Sequence, residues 1–375
     1  MRSINEASRA IAEAVKMCRP GIIPLYPITP QTHNVEALTE YINNGELDAI
    51  SIPCESEHSA ISAAIGASAT GVRTYTASSS QGLALMNEIL FIASGMRMPI
   101  VMMIANRALS APINIWNDHQ DQISERDTGW IQFFAESTQE AVDTAIQAFK
   151  IAENKNVLLP VMFGIDGFTL SHVLENVDMP SQQEVDAFLP KIKLPFVLDP
   201  KKPVTMGPVG GPDYYMEIRK MNQDALLNSK SVIKEVHDEF KKKFGRGYGD
   251  GLIEGYQIKD AKKIIVCIGT IAGTSRVVID ELRKKGEKVG LLKIRLFRPF
   301  PREEIAKALG NAENVIILDR DISLGNKGTL FTEIRDCLYD TKVNVRGYIV
   351  GLGGRDVTKE HIKKAFNMVD EEWLM

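Results

Sequence analysis

Apolar runs alternate with amphipathic stretches twice along this chain, once on either side of a polar, proline-punctuated middle. In the first series the runs Ile22–Tyr26, Ala49–Pro53, Val72–Thr76, Pro99–Ala105 and Val157–Phe163 read as strands. Most are apolar throughout rather than at every second position, as strands are when both sheet faces are covered. Between them, apolar residues recur at three- and four-residue spacing over Thr32–Ile42, Glu57–Thr70, Gln81–Ser94 and Gln139–Glu153, which predicts helices. Ser137-Thr138-Gln139-Glu140 supplies a capping box for the last of these. Such βα alternation predicts a doubly wound, mostly parallel sheet with helices on both faces.

From about residue 176 to 260 the alternation fails. Pro180, Pro190, Pro195, Pro200, Pro203, Pro208 and Pro212 interrupt it, and Lys241-Lys242-Lys243 follows a polar helix. This predicts an extended connector with one helix, wrapping the first domain before crossing to the second. A second series then places strands at Lys263–Gly269, Val289–Arg295, Asn314–Asp319 and Val343–Val350. Helices are expected near Gly273–Lys285, Arg302–Leu309, Thr329–Tyr339 and Thr358–Met368. The expectation is two α/β domains, 1–175 and 261–375, joined by a linker over 176–260.

Composition narrows the class. With 375 residues, 44% hydrophobic and 25% charged, the chain reads as a soluble globular protein. A net charge of −4 gives no electrostatic footprint for nucleic acid, and no apolar run is long enough to span a membrane. Ser3-Ile4-Asn5-Glu6 reads as a capping box opening a helix through Cys18 rather than as an export signal, so a cytoplasmic protein is expected. Cys18, Cys54, Cys267 and Cys337 are too dispersed for a disulfide framework or a ferredoxin-type cluster. Any iron–sulfur cluster serving this chain must come from another polypeptide.

Candidate chemistry gathers where apolar runs stop. Tyr26-Pro27-Ile28-Thr29-Pro30-Gln31-Thr32 ends the first strand with two prolines around Thr29, holding a hydroxyl where open α/β sheets place ligands. Glu57 opens a helix rich in small residues; it is either a surface acid complementing the helix dipole or a buried carboxyl of raised pKa. Arg107 follows a buried strand directly and suits bidentate carboxylate recognition. Asp118, His119 and Asp121 form either a metal site or a hydrogen-bonded loop at a pocket entrance. Ser78-Ser79-Ser80-Gln81-Gly82 and Gly269–Thr274 are turns that cradle phosphate in some folds. Gly249-Asp250-Gly251 looks like the start of a metal–diphosphate motif, but it follows no buried strand and no Asn-Asn pair closes it downstream.

Tyr26–Pro30, Glu55-Ser56-Glu57, Ser80-Gln81-Gly82, Arg107–Pro112, Asp166-Gly167-Phe168 and Arg295–Pro301 together resemble, in order, elements of the 2-oxoacid:ferredoxin oxidoreductases. That resemblance implies a thiamine-diphosphate-binding domain of the pyrimidine type, followed by a transketolase C-terminal-like α/β domain. It implies that Glu57 faces N1′ of the aminopyrimidine, with Tyr26 and Ile28 on the same cofactor. Thr29 and Arg107 would bind the 2-oxoacid, the arginine at its carboxylate. The family reaction converts pyruvate, coenzyme A and oxidised ferredoxin to acetyl-CoA, CO₂ and reduced ferredoxin, reversibly. The missing diphosphate motif implies that Mg²⁺, the other half of the cofactor site and the [4Fe–4S] clusters belong to β-, γ- and δ-type partner subunits. No metal ligand is assigned to this chain. A branched-chain 2-oxoacid is the alternative substrate, and a non-catalytic assembly subunit the alternative of another kind.

Overall fold

The computed structural model describes residues 2–375 and contains two large sheets. The first has seven strands in the order Leu296–Arg298, Ile131–Phe134, Val161–Asp166, Ile100–Asn106, Thr74–Ser78, Ile22–Leu25 and Ile50–Pro53. All neighbours pair in parallel except the first two, which are antiparallel. Its central strands, 74–78, 100–106 and 161–166, are buried along their whole length, which explains the apolar runs Ile100–Ala105 and Val161–Phe163. The second sheet orders Trp373–Leu374, Asn344–Val350, Asn314–Asp319, Lys263–Cys267, Val289–Ile294 and Ile253–Tyr256, the last antiparallel to its neighbour.

Most expected elements form within a few residues of their expected ends, but the connector expected to hold one helix holds two, Gln182–Phe188 and Pro212–Phe244, and a strand, Ile253–Tyr256, and other elements differ as well. The start is a strand, Arg2–Glu6, paired antiparallel with Leu174–Asp178; the helix begins only at Ala7. Pairing satisfies the backbone over residues that a capping box would have placed in a helix. The helix expected over 81–94 breaks at Met86 into Ser80–Leu85 and Asn87–Gly95. The strand Ile131–Phe134 was not foreseen. Finally, Leu296-Phe297-Arg298 does not simply stop a strand: it crosses over and extends the first sheet along 131–134. Pro301 then N-caps the helix Arg302–Leu309.

The middle segment carries a 33-residue helix, Pro212–Phe244, with Pro at its first turn and Gly245 in the left-handed conformation at its end. Lys241–Lys243 lie in its last turn, where they oppose the negative end of the helix dipole. Its buried residues, Ala225, Ser229, Val232, Ile233, Val236, His237 and Phe240, recur every three or four positions and form the packing stripe.

A buried ionic cluster fastens the sheets together. Lys293 Nζ lies 2.9 Å from Glu136, 3.0 Å from Glu140 and 2.7 Å from Glu254. Arg295 donates to Glu140 at 3.1 Å and to Thr144 Oγ1 at 2.8 Å. Ser137 caps its helix as expected, but the Glu140 side chain serves these cations and the Glu136 N–H instead of closing the box.

Candidate active site

The first sheet winds from Ile22–Leu25 outward to Ile50–Pro53 and then back to Thr74–Ser78 on the other side. Strand order therefore reverses at 22–25, and ligands of open α/β sheets bind in the crevice at such a point, beyond the carboxyl ends of the strands. Every segment singled out in the first domain emerges at that edge. Tyr26–Thr29 follows the first strand, Glu55–Glu57 the second, Ser79–Gly82 the third and Arg107 the fourth.

Gln31 holds the first loop in place. Its buried amide donates to Ala77 O at 2.8 Å, and its backbone N–H donates to Ile28 O at 2.8 Å. Tyr26 and Ile28 are half-buried and Thr29 is exposed, its hydroxyl making no hydrogen bond to a described residue. The Thr29 carbonyl accepts from Arg107 Nη1 at 2.9 Å, so the structure brings these two residues together.

Arg107 is only 7% exposed. Its guanidinium donates to two carbonyls, Thr29 O and Asn114 O (3.0 Å from Nε), and pairs with no carboxylate among the described residues. Nη2 has no described partner. Buried cations are ordinarily paired, so this one is poised for an anion. Burial lowers the guanidinium pKa, opposed by the charge of Asp121.

Asp121 fixes the backbone around that arginine. Its fully buried Oδ2 accepts from Arg107 N at 3.0 Å and Ser80 N at 2.9 Å; Oδ1 accepts from Asn106 Nδ2 at 3.0 Å and Gln122 N at 2.8 Å. One carboxyl thus joins the ends of two adjacent strands. Ser80, at φ +48°, completes the join by donating its hydroxyl to Ala108 O. Burial pushes the Asp121 carboxyl up to about 6 despite the hydrogen bonds it accepts from Asn106, Ser80 and Arg107. Its partners lie 14 and 41 residues away in sequence, so spacing alone did not mark it as this hub.

Glu57 is 6% exposed and begins its helix, which Ser56 caps by accepting from Ser59 N. Of the two readings for Glu57, the surface one fails. The carboxyl lies directly on Gly82: a Cβ there would sit 2.7 Å from Glu57 Cδ and Cγ. The Ser-Gln-Gly turn is therefore a floor under the carboxylate. Glu57 accepts no hydrogen bond from any described side chain, leaving a sequestered carboxyl free to meet a ring nitrogen, which is what a thiamine pyrimidine presents. No hydrogen bond joins Glu57 to the Thr29–Arg107 pair; they share the strand edge through Gly82, Ser80 and Asp121.

The remaining candidates have structural partners. Asp118, His119 and Asp121 diverge, and no group of metal-ligating side chains occurs among the described residues. His119 Nε2 meets Asp166 Oδ1 at 2.8 Å, and Asp166 Oδ2 accepts from Arg320 at 2.7 Å and from Thr270 Oγ1. Burial opposes ionisation of Asp166, but His119 and Arg320 hold its carboxyl below the usual range. Thr270 is thus engaged by a carboxylate, and Gly269–Thr274 serves as a turn into the helix Ile271–Arg283. Asp250 accepts from Leu252 N and Ile253 N at 3.0 Å in a tight turn.

The family profile described as "Pyruvate flavodoxin/ferredoxin oxidoreductase, thiamine diP-bdg" matches residues 13–238. "Pyruvate:ferredoxin oxidoreductase core domain II" matches 261–362. The chain belongs to the pyruvate flavodoxin/ferredoxin oxidoreductase family. Within it, the chain is 56% identical to the pyruvate synthase subunit PorA of Methanocaldococcus jannaschii, over 96% of this chain and 93% of that one. It is 45% identical to the ketoisovalerate oxidoreductase subunit VorA of Pyrococcus horikoshii, over 97% and 92%. A solved structure of the 2-oxoglutarate:ferredoxin oxidoreductase from Magnetococcus marinus, with 2-oxoglutarate, coenzyme A and succinyl-CoA bound, superposes with a TM-score of 0.77 at 18% identity. That match covers 98% of this chain but 65% of the other, and it speaks for the fold. Among the described residues no helix is long and apolar enough to cross a membrane.

Proposed function

We propose that this chain is the α-type subunit of a cytosolic pyruvate:ferredoxin oxidoreductase, contributing the pyrimidine half of the cofactor site and the substrate's carboxylate pocket. The observation that carries this reading is Arg107, buried at the sheet's ligand edge with its charge unpaired and its guanidinium aligned by Thr29 O and Asn114 O. Arg107 binds the 2-oxoacid carboxylate, and the exposed Thr29 hydroxyl hydrogen-bonds the same substrate. Glu57, with Tyr26 and Ile28 nearby, takes the aminopyrimidine; a buried carboxyl on a glycine floor holds or releases a proton without competition from water. Thiamine diphosphate, when bound, supplies the carbanion chemistry that no side chain can. The Mg²⁺–diphosphate half, the [4Fe–4S] clusters and coenzyme A contacts come from β-, γ- and δ-type partners, with ferredoxin as electron acceptor.

Pyruvate is favoured by the higher identity to the pyruvate synthase subunit. A branched-chain substrate is the second reading, supported by the ketoisovalerate relative at 45% identity. Co-purification of the complex, followed by kcat/KM for pyruvate and for 2-oxoisovalerate, decides between them. A preference for 2-oxoisovalerate overturns the first reading, and no turnover of either acid overturns both.

A further inference from the structure

The loop that follows Arg107 is held from the second domain. Asn114 Nδ2 donates to Gly353 O at 3.1 Å, Gly354 N donates to Asn117 O at 2.6 Å, and Gly353 N donates to Asp118 Oδ2 at 3.3 Å. Asn114 also shapes its own turn, its Oδ1 accepting from Trp116 N at 2.7 Å. The approach depends on glycine. Gly353 and Gly354 have φ of +60° and +82°, and a Cβ on Gly353 would lie 2.5 Å from Asn114 Nδ2. Trp116 packs over Gly354 and places its ring 6.2 Å from that of Phe168.

The same Asn114 that reaches Gly353 with its side chain offers its backbone carbonyl to Arg107 Nε. We propose that the second domain sets the aim of the substrate arginine, with Asn114 and Gly353 as positioning residues that relay its placement to Arg107. This rests on the reading of Arg107 as the carboxylate's partner. A guanidinium held by two carbonyls presents its free edge in one direction; releasing Asn114 removes one of the two guides and leaves the charge in place. The residues touch no substrate and act through Arg107. The Gly351–Arg355 loop thereby gains a role in substrate recognition in addition to packing.

The test uses the assembled complex carrying Asn114→Ala, Gly353→Ala, both together, and Asn114→Ala combined with Arg107→Ala. Each single change is expected to raise KM for pyruvate about five- to tenfold, the effect of one hydrogen bond. kcat and KM for coenzyme A should stay near parent values. The double variant should lose at least as much as Asn114→Ala alone, because truncating Asn114 frees room for the new methyl but leaves a side chain at φ +60°. On the Arg107→Ala background, Asn114→Ala should add nothing. Unchanged KM in Asn114→Ala, a parallel fall in kcat and both affinities, or an additive loss without Arg107 would each overturn the proposal. If Arg107→Ala itself leaves kcat/KM intact, the carboxylate reading fails and takes the relay with it. That outcome differs from all three above.

Discussion

Replacing Gly82 by alanine tests whether the Glu57 carboxyl works where the structure puts it. Gly82 lies inside the helix Ser80–Leu85 and is not among the glycines of positive φ, so alanine there should gain about 0.5–1 kcal/mol in backbone terms. Against this, the new methyl would lie 2.7 Å from Glu57 Cδ and Cγ. Carbon atoms settle about 3.5–4.0 Å apart, so the carboxyl must withdraw by roughly 1 Å. Because the obstacle is the end of a flexible side chain, the helix yields little and Glu57 moves. A displacement of that size costs on the order of 10²-fold when a reacting group is involved. The assay is pyruvate-dependent viologen reduction by the assembled complex, alongside its melting temperature. Gly273→Ala, where a Cβ would meet nothing nearer than Glu136 Oε1 at 3.8 Å, controls for a helical Gly→Ala change and should leave turnover intact. Glu57→Gln sets the floor, with an expected loss of about 10²–10⁴-fold from removing an exchangeable proton. A folded, assembled Gly82→Ala enzyme with parental turnover would refute the placement of Glu57 in the reaction.

Asp121 keeps its proton in the folded chain up to about pH 6, whereas the unfolded chain releases it near 3.8. Its contribution to stability is therefore present at low pH and lost as pH rises through that window. Asp121→Asn should flatten this part of the stability profile, measured by denaturant midpoints between pH 4 and 6.5; an unchanged slope would mean the carboxyl is already ionised there. Lys293→Ala takes one cation from Glu136, Glu140 and Glu254, which keep Arg276 or Arg295, and should destabilise by about 1.5–3 kcal/mol in chemical denaturation. A change well under 1 kcal/mol would show that the cluster is not needed to hold the sheets together. Thr29→Val should lower kcat/KM for pyruvate by an amount equivalent to about 1.5–3 kcal/mol, the scale of a hydrogen bond to a charged group. Parental kinetics would free Thr29 of a substrate role.

The βα alternation was legible because central strands carry unbroken apolar runs such as Ile100–Ala105. The ligand edge was legible because prolines and polar residues end those runs abruptly. What stayed hidden depends on pairings distant in sequence. Arg2–Glu6 becomes a strand because Leu174–Asp178 lies beside it, which no local pattern announces. Leu296–Arg298 leaves one sheet for another within three residues. The 33-residue helix was readable in outline from the three- and four-residue spacing of Val232, Ile233, Val236 and Phe240, but the upstream prolines obscured its length. At the strand edge, Thr29, Glu57 and Arg107 were singled out as candidates by residue type, position and family resemblance. Asp121, Gln31 and Asn114, which align them, are themselves held by backbone atoms of Ser80, Ala77 and Gly353, far along the chain.

The most direct test of the account is the specificity constant of Arg107→Ala for pyruvate in the assembled complex. Removing the guanidinium leaves a carboxylate desolvated and unpaired, a loss of about 3–5 kcal/mol, or roughly 10²- to 10⁴-fold in kcat/KM. Arg107→Lys should recover part of it, since a point charge cannot reproduce two parallel bonds. A complex that carries Arg107→Ala, melts normally and uses pyruvate with the parental kcat/KM would contradict the assignment and place substrate recognition on another cation.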